Sequence, residues 1–172
     1  MTEIKKLIEQ GKFKEAEKLV LENNVSKKTQ KDNLLLFRLL YLQEKHQEAI
    51  HCGEALLLSG YKGDAELYFM LGTAYGLLEQ YDKATSNLAE AIKLKPDYAV
   101  AHYNLGLVYN EKGDYSEAIA CYDQAIKLNP DEDYGHYNLR NASYTKEGYL
   151  RAEGYVRAIA CCEKDIEGGN KS

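Results

Sequence analysis

Cysteine side chains are the first place to look for metal binding or nucleophilic chemistry, because a thiolate is both a good ligand and a good nucleophile. The chain of 172 residues has four of them, Cys52, Cys121, Cys161 and Cys162. None belongs to a C-x-x-C pair, and no cluster of histidine and cysteine has the spacing of a zinc site. Cys161 and Cys162 are adjacent, which suits neither a regular disulfide nor ligation of one metal ion by both. We therefore expect reduced thiols in an intracellular protein, with no metal and no cofactor.

The histidines do not indicate catalysis either. His46 and His51 are five residues apart, so they do not share one face of a helix well. His102 and His136 occupy equivalent places in an internal repeat, which favours a packing role. The chain has no glycine-rich phosphate loop, no G-x-S-x-G and no H-E-x-x-H. The sequence therefore predicts a protein that is not an enzyme and has no catalytic residue.

The charge and the hydropathy pattern exclude two further classes of partner. The chain has 22 Lys and Arg against 27 Asp and Glu, a formal net charge of −5, which argues against nucleic acid as a partner. The longest apolar run, Leu34 to Leu42, has nine residues and contains Arg38, so membrane insertion, which needs about 20, is not expected. The segment Met1 to Gln10 has no signal-peptide core, and a cytoplasmic location is expected.

The elements that carry these residues follow an internal repeat with a period of about 34 residues. Pro96 and Pro130 are one period apart, and Leu71, Leu105 and Leu139 keep the same spacing. Further pairs at this spacing are Gly72 and Gly106, Tyr75 and Tyr109, Tyr81 and Tyr115, Ala84 and Ala118, and Ala91 and Ala125. Such a period, with two helical patterns in each unit, predicts an all-α solenoid of helix-turn-helix repeats.

Small residues and chain breakers explain why these positions recur. Gly106 on the first helix of its unit and Ala118 on the second let the two backbones approach closely. Gly113 separates the two helices, and Pro130 cannot continue the helix that precedes it.

The same positions resemble the tetratricopeptide repeat (TPR) family. Residues 99–132 have His102 in the place usually taken by Trp, and they continue with Leu105, Gly106, Tyr109, Gly113, Tyr115, Ala118, Tyr122, Ala125 and Pro130. Residues 65–98 have Tyr68, Leu71, Gly72, Tyr75, Tyr81, Ala84, Leu88, Ala91 and Pro96 at the signature places. The resemblance implies an α-solenoid of about four and a half to five TPR repeats in a right-handed superhelix.

The whole chain, 1–172, is predicted to be one TPR array. Its repeats are expected at about 1–28 (partial), 29–64, 65–98, 99–132 and 133–167, followed by a polar tail at 168–172. The spacing from Ala49 to Ala84 is one residue longer than the period, which places the extra residue in the loop at 59–64. The fifth repeat contains an insertion of six residues, and its turn is expected near Gly154 or, alternatively, at Gly148.

In the TPR family the first helix of each repeat lines a concave groove. The resemblance places these side chains on the groove: Glu66, Phe69, Met70, Thr73 and Leu77; Tyr103, Asn104, Leu107, Asn110 and Glu111; Tyr137, Asn138 and Asn141. Asn104 and Asn138 are one period apart, so they are expected to form a short ladder whose amides suit the backbone of an extended peptide. The alternative interpretation is that they are polar residues tolerated on an exposed face.

Some TPR domains hold the C-terminal carboxylate of chaperones with a clamp of Lys, Asn and Arg. The places of the first Lys and Asn are occupied here by Phe69 and Thr73 or, one repeat on, by Tyr103 and Leu107. In the first case the places of the third repeat are occupied by Tyr134 and Asn138. Only the middle Asn, Asn104, is present, so a carboxylate clamp of the chaperone type is not expected.

The resemblance implies a non-enzymatic scaffold or adaptor that binds a protein or peptide partner, as an extended segment or a helix, in the concave groove. Two alternatives remain. The chain could be a self-association module that builds homo-oligomers through the ends of its array, or a regulatory fragment of a larger protein.

Overall fold

The chain is described by a computed structural model that covers residues 2–23, 29–62, 64–130 and 135–148. Every regular element in these ranges is a helix, and they contain no strand, which confirms the all-α expectation. The helices are α1 (Thr2–Glu9), α2 (Phe13–Asn23), α3 (Gln30–Leu42), α4 (His46–Leu58), α5 (Ala65–Leu77), α6 (Tyr81–Leu94), α7 (Ala99–Lys112), α8 (Tyr115–Leu128) and α9 (135–148).

The helices pack as consecutive antiparallel pairs that are stacked along the chain. The pairs are α1 with α2, α3 with α4, α5 with α6, and α7 with α8, and each pair also contacts the next one. Helices α5 and α7 touch each other directly, so the first helices of neighbouring pairs form one wall of the solenoid. One apolar core runs from Phe37 in α3 to Val108 in α7, and it ties the stacked pairs together.

The same left-handed turn joins the two helices of every pair. Gly11, Glu44, Glu79 and Gly113 follow α1, α3, α5 and α7, with φ angles of 70°, 58°, 59° and 83°. Glycine adopts this conformation without steric cost, whereas a residue with a Cβ atom is strained there. Two of the four turns therefore use the residue that the backbone favours, and two use a glutamate.

We call α5–α6 and α7–α8 the central pairs. The close contact within each of them joins a glycine on the first helix to a large side chain on the second. A Cβ atom on Gly72 would lie 2.7 Å from Cγ of Leu88, and one on Gly106 would lie 2.6 Å from Cε1 of Tyr122. The order is reversed in the preceding pair, where Phe37 is on α3 and Gly53 on α4. A Cβ atom on Gly53 would lie 3.0 Å from Cε2 of Phe37, and it would also lie 2.7 Å from Cδ2 of Leu71 on α5.

The end of the predicted array lies outside the described residues. The polar tail and the turn expected near Gly154 fall in 149–172, and α9 is described as far as Gly148, the alternative place for that turn. The repeat boundaries given above remain predictions.

Candidate functional site

Hydrogen bonds link three successive first helices of the wall, α3, α5 and α7. Asn104 donates from Nδ2 to Oγ1 of Thr73 at 3.0 Å, and that hydroxyl donates to the carbonyl oxygen of Phe69 at 2.9 Å. The phenol of Tyr41 is also hydrogen-bonded to Thr73. A single threonine hydroxyl thus connects the side chains of α3 and α7.

A second link joins α7 to α9 one repeat further along. Asn138 donates from Nδ2 to the phenol oxygen of Tyr103 at 2.7 Å. The ring of Tyr103 is in turn positioned by Tyr122 of α8, with the ring centroids 5.9 Å apart. We call the five residues of the two links, Tyr41, Thr73, Tyr103, Asn104 and Asn138, the polar ladder.

The ladder fixes both asparagine amides without using all of their hydrogen-bonding capacity. An Asn amide has two N–H groups and a carbonyl oxygen, and each of these bonds uses one N–H. Asn104 and Asn138 are both only partly buried, so solvent reaches them. Each amide is therefore held in place by a neighbouring helix and can still bond a ligand.

Aromatic rings stand beside the ladder. The rings of Phe69 and Tyr98 are in contact, with centroids 5.0 Å apart. Burial raises the pKa of Tyr98 and of Tyr41, and the carboxylate of Glu66 raises the pKa of Tyr98 further. These phenols therefore stay neutral at physiological pH and offer apolar contact area with a hydrogen-bonding tip.

Two pockets open on the wall, and Asn104 belongs to both. The first, which we call the α5–α7 pocket, has a volume of about 280 Å³ and is lined by Thr73, Gly76, Leu77, Tyr81, Leu88, Asn104, Leu107, Val108 and Glu111. The second, the α7–α9 pocket, has a volume of about 190 Å³ and is lined by Ala99, Val100, Tyr103, Asn104, Ala125, Ile126, Asn129 and Gly135. Both linings are mainly apolar, so the wall offers two places for apolar side chains on either side of a fixed amide.

The charges near the wall are mostly acidic. Arg38 on α3 is bonded to Glu66 and lies 3.9 Å from Asp64. Glu111 is exposed at the α5–α7 pocket. Burial raises the pKa of Tyr81, and the carboxylates of Glu79 and Glu111 raise it further.

The structure places six of the thirteen predicted groove residues at the two pockets. Thr73, Leu77, Asn104, Leu107 and Glu111 line one pocket, and Tyr103 shares the other with Asn104. The other seven lie outside both pockets: Glu66, Phe69, Met70, Asn110, Tyr137, Asn138 and Asn141. Among these, Tyr137 is 56% exposed, Asn141 is exposed and Asn110 is partly buried.

Met70 departs from the prediction. Its side chain is 6% exposed and packs in the central core, so it offers no surface to a ligand. The physical reason is its apolar thioether, which gains from burial where the amides of Asn104 and Asn138, at the equivalent places in the repeat, stay partly exposed.

Sequence reasoning missed three residues of the wall: Tyr41, Tyr98 and Val100. Val100 stands one period after Glu66, so the repeat spacing alone was enough to find it. Tyr41 occupies the place in its repeat that Gly76 occupies in the next one, because the two are separated by as many residues as Ala49 and Ala84. Tyr98 precedes α7 and carries no groove signal in the sequence.

The thiols and the remaining ionisable groups provide no second site in the described residues. Neither Cys52 nor Cys121 forms a disulfide, and the Cys52 thiol lies 3.4 Å from the carbonyl oxygen of Asn33. Burial raises the pKa of Cys121 to about 11. No group of three or more His, Cys, Asp or Glu side chains there is arranged to hold a metal ion. Over the same residues, no helix has both the length and the apolar character that crossing a membrane requires.

Comparison with protein families identifies the repeats. A family described as "Tetratricopeptide repeat" matches residues 99–132, and one described as "TPR repeat" matches residues 72–113. Both descriptions are of TPR repeats, and the predicted resemblance is confirmed. A comparison with curated proteins finds no match.

Solved structures of similar fold extend over most of the chain. MamA is 26% identical with a TM-score of 0.74, over 90% of this chain and 84% of MamA. YrrB, described as a TPR protein with an unusual peptide-binding site, is 22% identical with a TM-score of 0.72, over 84% of this chain and 74% of YrrB. The first TPR of Spaghetti (RPAP3), bound to the HSP90 peptide SRMEEVD, is 22% identical with a TM-score of 0.64, over 69% of this chain and 96% of that one. The fold is an all-α TPR solenoid.

Proposed function

We propose that this protein is a non-enzymatic interaction scaffold that binds an extended segment of a protein partner along the wall of α5, α7 and α9. The observation that carries the proposal is the polar ladder, which holds Asn104 and Asn138 at successive repeats with hydrogen-bonding groups left over. An extended peptide exposes backbone N–H and C=O groups at regular intervals, and amides are suited to bond both. Peptide binding by YrrB and by the TPR of RPAP3 supports this use of the fold.

The charges of the wall argue for a ligand unlike the acidic chaperone peptide. Phe69 and Thr73 occupy the places of the clamp Lys and Asn, and Arg38 is engaged by Glu66. A peptide that ends in a carboxylate would find no cation to neutralise it at these positions. We therefore expect the ligand to be an internal segment of its protein.

Selection from a phage-displayed library of random peptides tests the proposal. A peptide selected on the wild-type protein is synthesised, and its Kd is measured for the double variant Asn104→Ala with Asn138→Ala. Leaving ligand amides unpaired costs about 1–3 kcal/mol, so we expect the Kd to rise by tenfold or more.

A matched variant separates binding from folding. Thr73→Val removes the hydroxyl that holds Asn104 but leaves the amide itself in place. We expect it to bind the peptide within about threefold of wild type, a difference below about 1 kcal/mol. Equal losses in both variants would attribute the effect to the structure of the wall, and an unchanged Kd in the double variant would contradict the proposal.

The asparagines also stabilise the fold. Each bonds a neighbouring helix, and a hydrogen bond contributes about 0.5–1.5 kcal/mol net. The double variant is therefore expected to lose about 1–3 kcal/mol of stability, and its binding is measured where circular dichroism shows it folded.

Self-association is a second candidate function. Two tyrosines on α9, Tyr137 and Tyr144, are 56% and 67% exposed, so two large rings on this helix lie open to solvent. Light scattering after size exclusion tests it: a dimer that dissociates in Tyr137→Ser with Tyr144→Ser would support self-association, and a monomer at all concentrations would exclude it.

A further inference from the structure

The α5–α7 pocket has features of a specificity site, and its chemistry points to one kind of side chain. Leu77 is 60% exposed in its lining, so a large apolar surface there lies open to solvent. Gly76 keeps the pocket open, because a Cβ atom there would lie 3.3 Å from Cγ2 of Val108. An aliphatic ligand side chain would cover both and remove this apolar area from water.

The rim of this pocket carries negative charge that no cation balances. Glu111 lines the pocket, Glu79 lies near the same tyrosine, Tyr81, and neither makes an ion pair with any described residue. The neighbouring Lys112 is 2.9 Å from Asp82 and 3.9 Å from Asp114, so its charge is engaged elsewhere. A positive ligand group next to the aliphatic side chain would therefore complete the site.

The second pocket adds a place for another apolar side chain on the same ligand. Asn104 belongs to both pockets, so a backbone bonded to its amide passes between them. Val100 is 51% exposed in the α7–α9 pocket, whose described lining residues carry no charge. Glu111 of the α5–α7 pocket therefore has no charged counterpart among these residues, which gives the wall a direction.

We propose that the α5–α7 pocket recognises an aliphatic residue adjacent to Lys or Arg in an extended partner segment, and that the α7–α9 pocket takes a second aliphatic residue of that segment. This proposal rests on the proposed function, because it assumes that a peptide lies along the wall. It adds the composition and the orientation of that peptide.

The sequences that the phage library returns provide the first test. We expect selection on the wild-type protein to enrich Lys or Arg next to Leu, Ile, Val or Met. We expect selection on the charge-reversed variant, Glu79→Lys with Glu111→Lys, to enrich Asp or Glu next to the same aliphatic residues. If the selected peptides lack the basic residue but fail to bind the variant Asn104→Ala with Asn138→Ala, the pocket chemistry is overturned and the proposed peptide binding stands. If the selected peptides bind every variant of the wall equally well, both the pocket chemistry and the proposed function are overturned.

A charge-swap titration provides the second test, and it uses one synthetic peptide from the wild-type selection. Glu79→Lys with Glu111→Lys is expected to raise the Kd of this peptide about tenfold, and replacing the peptide's basic residue by Glu is expected to restore most of the loss. Asp123→Lys with Glu117→Lys, on the exposed surface of α8, is the matched control and is expected to change the Kd by less than about twofold. Equal losses in the two double variants would show only a general effect of net charge and would overturn the proposal.

A third variant tests the apolar part of the site. Gly76→Leu fills the pocket with a side chain from α5, and it is expected to weaken the peptide at least tenfold. Two controls check that this variant is folded. They are its circular dichroism spectrum and its binding of a peptide that keeps only the aliphatic residue for the α7–α9 pocket. Binding of the full peptide with unchanged Kd would contradict the pocket assignment.

Discussion

A glycine packs against a large side chain in the pair α3–α4 and in the pairs α5–α6 and α7–α8, but the two residues stand on opposite helices. In the central pairs the glycine stands on the first helix, as Gly72 or Gly106, and the large side chain stands on the second. In α3–α4 the large side chain, Phe37, is on the first helix and Gly53 on the second. The glycine and the large residue have the same sequence separation in all three pairs, and Phe37 is fully buried.

This difference shows that the fold requires complementary volumes at one contact rather than a particular residue at one position. A core at native density accepts a large residue opposite a small one from either side. The family matches cover residues 72–132, and the reversed pair lies before them. Similarity of structure nevertheless extends to 90% of the chain in the comparison with MamA. The repeat signature therefore weakens at α3–α4, whereas the fold does not.

The largest expected effect breaks the reversed contact. Phe37→Ala removes a fully buried ring that lies against Gly53, and such a truncation costs about 3–5 kcal/mol. Urea unfolding followed by circular dichroism measures the loss. A shift of the midpoint no larger than that of an exposed substitution would show that the contact does not stabilise the fold.

A double-mutant cycle then sharpens the comparison by restoring the central arrangement in α3–α4. Gly53→Leu alone brings a side chain against Phe37 and Leu71, which should destabilise the protein by about 1–3 kcal/mol. Combined with Phe37→Gly, it fills the space that the ring leaves, so the two changes should be coupled favourably by about 1 kcal/mol or more. Additive losses would mean that the two positions do not share one volume.

The same argument applied to the central region gives a single substitution. Gly106→Leu places new atoms against the ring of Tyr122 and should cost about 2 kcal/mol or more. Ala120→Leu adds an aliphatic side chain at an exposed position of α8 and should change stability by less than about 0.5 kcal/mol. Equal melting temperatures for the two variants would be incompatible with the contact.

The sequence predicted the fold better than it predicted the site, and α5–α8 shows why. The repeat period reports which residues are equivalent, and Leu71, Leu105 and Pro130 stand at fixed places in the repeat. Equivalence does not decide whether a side chain turns inward: Met70 is buried although Asn104 at the same place is not. That choice depends on polarity and on the partner across the helix pair. The Asn104–Thr73 bond likewise joins different places of two repeats, which a period cannot reveal.

The turns allow a smaller test, in which the two regions should respond with opposite signs. Gly113→Ala puts a Cβ atom on a residue with φ of 83° and should destabilise by about 1 kcal/mol. Glu79→Gly relieves strain at φ of 59° in the equivalent turn, and the gain should be about 0.5 kcal/mol after the entropy of the unfolded glycine is subtracted. Urea midpoints measure both. Loss of stability in Glu79→Gly would indicate that the glutamate side chain contributes more than the strain costs.

The smallest expected effect lies in the polar ladder, which crosses from the reversed pair into the central region. Tyr41→Phe and Tyr103→Phe each remove one phenol oxygen and keep the ring. Tyr41 bonds Thr73, whose hydroxyl keeps its bonds to Asn104 and to the Phe69 carbonyl.

Tyr103→Phe differs because it takes away the oxygen to which Asn138 donates at 2.7 Å. A hydrogen bond contributes about 0.5–1.5 kcal/mol net, and a partly buried donor that loses its acceptor can still turn to water. We therefore expect Tyr103→Phe to cost about 0.5–1 kcal/mol and Tyr41→Phe about 0.5 kcal/mol or less, measured as paired urea midpoints. A larger loss in Tyr41→Phe would mean that the link from α3 to Thr73, rather than the asparagine bonds, holds the first helices in register.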